Sequence, residues 1–417
     1  MNIGQLIERK GILNTIESYC NTFTSDDNVL LIVKTFKLNY SKEEQDKRTL
    51  GSSEFAEQFF KTNRETLYNL EEEPDEYLVS TGSLILDNKT GGGLGSGVHR
   101  FVGVTEGGKS SASLEVMKNM LKTIKNSKGL YIKAEGRLSK NVQERSGVKF
   151  TKDACDWDVG SCLILESNIY DTVFDFIRGI LRNNPNKEKF CIIIDSMDGL
   201  VSFGDIHKNT GDAAKVAAGA LMTSDFLKRV SLGMSKFGHM CIMTSQQRSK
   251  VSIDPYAKQD TNNTTNSSGG NASVHFPDWI FEFQRAFKAD KILEKPDGPI
   301  GPDNKQYGHM AKVLICKSTN ETTGEIVRYP IKYGRTDGTS IWIEREVADM
   351  LLMWGLFEKG GAGWFTVDQE LLDYVKQNNL EIPEKIQGMK NIYSILEENQ
   401  QLFLCLKDFV VNNFLKK

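Results

Sequence analysis

No apolar run in the 417-residue sequence approaches the roughly 20 residues that a membrane-spanning helix needs. The opening MNIGQLIERKGILN lacks the apolar centre of a secretory signal, so a cytoplasmic protein without a membrane partner is expected. Paired cysteines are missing too. The seven present are scattered, odd in number and never spaced C-x-x-C, which argues against a disulfide framework. Cys191 in FCIIID and Cys241 in MCIMTS lie within apolar runs and are expected as reduced core thiols. Five dispersed histidines offer no zinc-ligand spacing. There is no large charge excess: the net charge of −3 means that any grip on nucleic acid must come from a local basic patch. What is present is ordinary for a globular protein, 39% hydrophobic and 26% charged residues, without an internal repeat. The length suits one large core with one or two small appendages.

Residues 1–70 read as a separate, mostly helical region containing one β-like run, Val29–Phe36. The acidic stretch Glu71–Glu76, with Pro74, reads as a linker. From Tyr77 to about Arg345 short apolar strands alternate with helices, the pattern of a parallel α/β fold. Strands are predicted at Arg100–Gly103, Gly129–Ala134, Ser161–Leu165, Phe190–Asp195, His239–Ser245, Trp279–Arg285, Met310–Cys316 and Ile326–Tyr333. Helices are predicted at Ser110–Lys125, Ile169–Asn183 and Asp212–Phe237, and residues 346–417 are again mainly helical. The expected division is therefore 1–76, 77–345 and 346–417. Asp260–Gly270, DTNNTTNSSGG, has no apolar residue and is expected to be an exposed loop.

The strongest chemical signal is GVTEGGKSS at Gly103–Ser111, which fits G-x-x-x-x-G-K-[ST]. The run Val98–Val102 precedes it and a helix-spaced segment follows, so strand, glycine loop and helix start come in the order a phosphate-binding loop requires. Glycines let backbone N–H groups turn inward around phosphate oxygens, and the helix dipole adds to the attraction. The alternative is a glycine turn before an ordinary helix. The motif predicts a nucleoside triphosphate held by Gly103, Thr105, Glu106, Gly107, Gly108, Lys109, Ser110 and Ser111, with Lys109 on the β- and γ-phosphates and the Ser110 hydroxyl on Mg²⁺. FCIIID ends an apolar strand in Asp195, where a carboxylate can hold Mg²⁺ through water. The strand Gly129–Ala134 leads into Glu135, which would converge on the same edge or remain a solvated strand-end acid.

Ser80–Ser111, STGSLILDNKTGGGLGSGVHRFVGVTEGGKSS, resembles the approach to the phosphate loop in the family of bacterial and phage RecA recombinases. The resemblance continues in order through YIKAEG at Tyr131–Gly136, FCIIIDSMDGL, MTSQQRSK at Met243–Lys250, SSGGNASVHFPDWI at Ser267–Ile280, KVLICKS…IKYGRTDG and GAGWF at Gly361–Phe365. It is nearer to the phage-type, UvsX-like proteins than to the bacterial ones. It implies a RecA-type P-loop ATPase core with a mainly parallel sheet, plus small N-terminal and C-terminal domains. By the same resemblance Glu135 is the catalytic glutamate and Gln246 the γ-phosphate sensor that opens a DNA-binding loop. Lys317 would reach the nucleotide of a neighbouring subunit; the second such position is Thr319 here, and Lys317 could equally be a solvated strand-end lysine. The adenine-side aspartate and tyrosine of the family fall near Ser139 and Val142, a departure that requires another way of holding the base.

Two DNA-binding loops are expected, at about Phe203–Ala218 with Lys208 and Lys215, and at Gln247–Phe276 with Arg248, Lys250 and Lys258. Ile253, Tyr256 or His275 would press on base faces. Gly269, Gly270 and Asn271 close the second loop. Lys228 and Arg229 lie near a DNA-backbone position of the family, or form a solvated helix face. The function implied is an ATP- and Mg²⁺-dependent ATPase forming a helical homo-oligomeric filament on single-stranded DNA and exchanging strands with homologous duplex DNA. A single-strand-binding protein and a loading mediator are further implied partners, in the cytoplasm of a bacterial host if the gene is phage-borne. A ring-shaped hexameric helicase on the same core is the alternative that the G-G-N-A segment disfavours. A non-exchanging accessory ATPase is disfavoured by the joint presence of Glu135 and Gln246.

Overall fold

A computed structural model describes residues 51–62, 76–136, 138–206, 218–249, 265–267, 272–295, 298–299 and 301–415. The chain divides into two compact units, Met1–Glu72 and Glu73–Lys417. In the first, the described residues form the helix Ser52–Thr62, in which Phe55 and Phe59 stand one turn apart with ring centroids 6.0 Å apart. Val29–Phe36 lies outside the described residues.

The second unit is built on a mixed, mainly parallel sheet. In chain order its strands are β1 Gly97–Gly103, β2 Ser127–Lys133, β3 Phe150–Thr151, β4 Cys162–Glu166, β5 Lys189–Asp195, β6 Met240–Ser249, β7 Thr265–Ser267, β8 Trp279–Phe283, β9 Lys291–Leu293, β10 Gln306–Lys317 and β11 Ile326–Lys332. They lie in the order β11-β10-β8-β1-β6-β5-β2-β4-β3, with β7 beside β6 and β9 beside β10. The seven strands β1 to β6 and β8 run parallel to one another through the centre, and β10 turns the edge antiparallel.

The apolar strands are unbroken in sequence because both faces of the sheet are covered. Alternate residues of β5 show this. Cys191 and Ile193 join Phe101, Leu114 and Met117 under the helix Lys109–Thr123, while Ile192 and Ile194 join Phe174 and Phe226 under the helices Tyr170–Arg182 and Ala218–Lys236. Cys191 and Cys241 are fully buried free thiols. No helix among the described residues is long and apolar enough to cross a membrane.

The structure adds elements that the sequence did not announce. Residues 346–417 were predicted as helical, yet β12 Phe357–Lys359, β13 Trp364–Val367 and β14 Lys385–Gln387 form an antiparallel sheet among four helices. These helices, Ile343–Met353, Gln369–Gln377, Met389–Glu398 and Gln400–Val410, share a core with Leu351, Phe357 and Leu406. Strands of three or four residues are too short for alternation to register. The expectation of a loop through Asp260–Gly270 also gives way at Thr265–Ser267. There β7 pairs with β6, Gln247 opposite Ser267 and Ser249 opposite Thr265, so β6 runs past its predicted end at Ser245. Backbone pairing needs no apolar side chain, which is why these polar residues gave no strand signal.

Two buried carboxylates order the segment before β1, and one of them, Glu346, fastens it to the helix Ile343–Met353. Glu346 accepts hydrogen bonds from the Ser83 hydroxyl at 2.6 Å and the Leu84 N–H at 2.8 Å. Asp87 accepts from the Ser80 hydroxyl at 2.5 Å and from Thr81 at 2.7 Å. Burial raises Glu346 to about 8 against the pull of those hydrogen bonds, and raises Asp87 to about 6. A carboxyl that keeps its proton only when folded stabilises fully below its unfolded pKa, near 4.5, and loses that contribution as pH rises through 8. At about 1.4 kcal/mol per unit, the loss across the window is several kcal/mol. Thermal melts are therefore expected to show a midpoint that falls from pH 6 to pH 9 in the parent and falls less in Glu346→Gln. An identical pH dependence in the two proteins would contradict the assignment.

Candidate active site

The site begins where β1 ends. Gly103 lies in register with Gln246 of β6 and Phe283 of β8, so the loop after it emerges between two strand ends. Its φ is 150° and a Cβ there would collide with the Phe283 carbonyl. The loop then turns back, with the Gly107 N–H donating to the Val104 carbonyl at 3.1 Å. Gly108 has φ 97° and caps the helix Lys109–Thr123. A Cβ at Gly108 would meet nothing within 4 Å, so a side chain there would project into open space in front of the helix N-terminus. Thr105, Glu106 and Ser111 are exposed around that space and Ser110 is half-buried in the first helical turn. Lys109 is 9% exposed, and its Nζ donates to the carbonyls of Gly103 at 3.0 Å and Val104 at 2.7 Å. Burial lowers its pKa, opposed by the carboxylates of Asp195, Asp198 and Glu135.

Those carboxylates arrive from the next strand ends. Asp195 pairs with Lys133 across β5 and β2, and its carbonyl accepts the N–H groups of Ala134 at 2.9 Å and Glu135 at 3.2 Å. This holds Glu135 against the end of β5. The Asp195 carboxylate accepts from the Tyr131 hydroxyl at 2.5 Å and the Thr244 hydroxyl at 2.7 Å. Burial pushes the Tyr131 phenol well above its usual range, so it stays a neutral donor. Glu135 accepts from the Ser196 hydroxyl on one oxygen and from Gln246 Nε2 at 3.0 Å on the other. The Gln246 N–H donates to Asp198 Oδ2 at 2.6 Å. The other oxygen, Asp198 Oδ1, is buried without a hydrogen-bond partner among the described residues. Lys109, Glu135, Asp195 and Gln246 thus meet at the carboxyl ends of β1, β2, β5 and β6.

Arg100 escaped the sequence reading because it sits inside a run taken as apolar. It is 2% exposed in the middle of β1. Its guanidinium donates to the Ser245 hydroxyl at 3.1 and 3.0 Å and to the Ser273 hydroxyl at 2.7 Å. Burial lowers its pKa to about 10, with Asp198 and Cys316 opposing. A cation amid strand residues was the available signal, since a buried guanidinium needs partners for its five donors. Here it joins the residue before Gln246 to the short helix Ala272–His275.

Of the predicted DNA contacts, Lys208, Lys215, Lys250, Ile253, Tyr256, Lys258, Gly269, Gly270 and Asn271 lie outside the described residues. Arg248 is placed in β6 opposite Asn266 by its backbone. Lys228 is exposed on the helix Ala218–Lys236, beside Arg229, which pairs with Asp225 at 2.9 Å. Lys317 donates to the carbonyls of His275 and Pro277, both at 2.6 Å.

A cavity of about 300 Å³ opens beside the Gly103–Gly108 loop. It starts at Gly107 and Gly108 and continues between Val142 and Arg145 on one side and Tyr333 and Gly334 on the other. Val142 is one of the two positions where the resemblance departs from its pattern; Ser139 caps the helix Lys140–Ser146 instead. The Tyr333 ring lies 5.5 Å from that of His309, another lining residue.

No protein-family model matches the chain. It is 24% identical over 329 residues to Protein RecA of Chlorobaculum tepidum, covering 78% of this chain and 80% of that protein. With Protein RecA of Bordetella avium it shares 25% identity over 363 residues, 87% and 89% of the two chains. With that of Gloeobacter violaceus it shares 24% over 322 residues, 77% and 74%. The chain is thus similar to RecA proteins over most of its length, in agreement with the mixed, mainly parallel sheet.

Proposed function

We propose that the chain is a recombinase of the RecA family, of the phage-type branch: a DNA-dependent ATPase that polymerises on single-stranded DNA as a helical filament and exchanges strands with homologous duplex. The observation that carries this reading is Gln246, whose side chain bonds Glu135 and whose N–H bonds Asp198. One residue, the last of β6 in register with β1, thereby touches the hydrolytic acid while the chain beyond it runs toward the predicted DNA-binding loop.

The residues fit ATP and magnesium. The space in front of Gly108 is open and faces helix N–H groups, as a phosphate requires. The orphaned Asp198 Oδ1, Asp195 and the Ser110 hydroxyl supply the hard oxygen donors that Mg²⁺ prefers. No group of three or more His, Cys, Asp or Glu side chains among the described residues could cage a metal. Asp195 and Ser110 would therefore hold the ion jointly with phosphate and water. Bound Mg²⁺ would neutralise phosphate charge. Lys109 would exchange its two loop carbonyls for β- and γ-phosphate oxygens, and Glu135 would orient the attacking water and accept its proton. The nucleoside would extend from the loop into the cavity between Val142 and Tyr333.

A γ-phosphate competing for the Gln246 amide would draw it from Glu135, freeing the acid and shifting β6 in one move, an order–disorder type of switch. Gln246→Ala is expected to bind ATP as the parent does while losing most of the DNA stimulation of hydrolysis. Equal stimulation in the two proteins, measured by steady-state phosphate release, would defeat the coupling role.

A further inference from the structure

The cavity beside the phosphate loop is walled on its far side by the end of β11, and that wall is fastened to the C-terminal helices. Lys332, Tyr333, Gly334 and Arg335 all line it. Arg335 donates to Glu344 at 2.9 Å through one guanidinium nitrogen and to Glu397 Oε1 at 2.8 Å through the other. Lys332 donates to the same Glu397 oxygen, and its ammonium lies 4.5 Å from the centroid of the Trp342 ring. Glu344 belongs to the helix Ile343–Met353 and Glu397 to the helix Met389–Glu398. The side chains of Arg335, Glu344 and Glu397 are only 17, 14 and 24% exposed, so salt screens these pairs less than surface ones.

The same loop continues to the opposite wall. The Asp337 N–H donates to the Glu144 carbonyl at 3.1 Å and the Gly338 N–H to the Arg145 carbonyl at 2.8 Å. Glu144 and Arg145 lie on the helix Lys140–Ser146, whose Val142, Arg145 and Ser146 line the cavity. The two walls are therefore joined by one short loop, and Glu397 is where two of its cations are anchored.

We propose that Glu397, remote from the phosphates, is a positioning residue for nucleotide binding: it fixes the Tyr333–Arg335 wall, so that the C-terminal domain sets affinity for the nucleoside half of ATP. The proposal rests on the reading of Gly103–Ser111 as a phosphate loop. Without the Glu397 charge, Lys332 and Arg335 lose the carboxylate they share, and Glu344 alone is left to balance the two like charges. The wall they carry then shifts, while the loop and Lys109 are untouched.

The test compares MgATP with magnesium tripolyphosphate, which has the phosphates and no nucleoside, by titration calorimetry on the full chain. Glu397→Gln and Arg335→Gln are each expected to weaken ATP binding about tenfold and tripolyphosphate binding less than about twofold, within the usual span of coupling energies. The loss in the double variant is expected to fall short of the sum of the two single losses, because the two residues share the contact between them. Unchanged ATP affinity overturns the proposal, as does equal weakening of both ligands, the mark of a merely structural role. If Glu397→Gln fails to fold by thermal melting, Glu397→Asp, which keeps the charge on a shorter arm, carries the same comparison with a smaller ATP-selective loss expected. A parent chain that binds neither ligand refutes the phosphate-loop reading itself. A parent that binds both equally well refutes only the nucleoside wall.

Discussion

Lys109→Ala is expected to reduce the turnover number for ATP hydrolysis by about a hundred- to a thousandfold, the ~3–4 kcal/mol that a preorganised charge contributes to a transition state. Lys109 is 9% exposed, and its ammonium is held by the Gly103 and Val104 carbonyls and faces Asp195, Asp198 and Glu135. Once it has exchanged those carbonyls for phosphate oxygens, a cation already desolvated needs no further reorganisation when charge moves onto the leaving phosphate. Alanine removes it and leaves the loop backbone in place, since the turn is set by Gly103, Gly107 and Gly108. Nucleotide affinity should also fall, because the same ammonium neutralises ground-state phosphate charge. Single-turnover phosphate release at saturating ATP isolates the chemical step. Turnover within about threefold of the parent would be far below any phosphate-clamp effect and would place the nucleotide elsewhere.

Glu135→Gln is the second large effect, and its signature is different. The amide keeps the size of the carboxylate and can still accept from Ser196, but it cannot take a proton from water. Loss of a positioned general base costs about a hundred- to ten-thousandfold in turnover, with ATP binding expected to stay near that of the parent. The contrast with Lys109→Ala separates the clamp, which acts on binding and chemistry, from the base, which acts on chemistry alone. Near-parent turnover in Glu135→Gln would transfer the base role to another acid, with Asp198 and its unpartnered buried oxygen the first to examine.

Much of this site was legible in the sequence for a physical reason. β5 is covered on both faces, so its residues from Phe190 to Ile194 are uniformly apolar, and the polar residue ending it, Asp195, stood out. The Gly103–Gly108 turn was legible because its glycines are required by backbone geometry rather than by packing, with φ of 150° at Gly103 and 97° at Gly108. Glu135 and Gln246 were found through resemblance. Their contact was not legible, since it joins residues 111 apart in sequence that meet only because β6, β5 and β2 are neighbours in the sheet. Arg100 was missed because a hydrophobic average over β1 conceals one cation. The Glu397 anchor was missed because lysine, arginine and glutamate in exposed-looking segments give no pattern that marks them as half-buried partners. The short strands β7 and β12 to β14 depend on backbone pairing and leave almost no trace in side-chain type.

The most direct test of the central claim is the steady-state ATPase rate of the full chain, with and without unstructured single-stranded DNA at low salt, where phosphate contacts are strongest. The account predicts a rate that rises steeply with DNA and loses its stimulation as salt is added. A basal rate indifferent to DNA at every salt concentration would contradict it and favour a non-exchanging accessory ATPase.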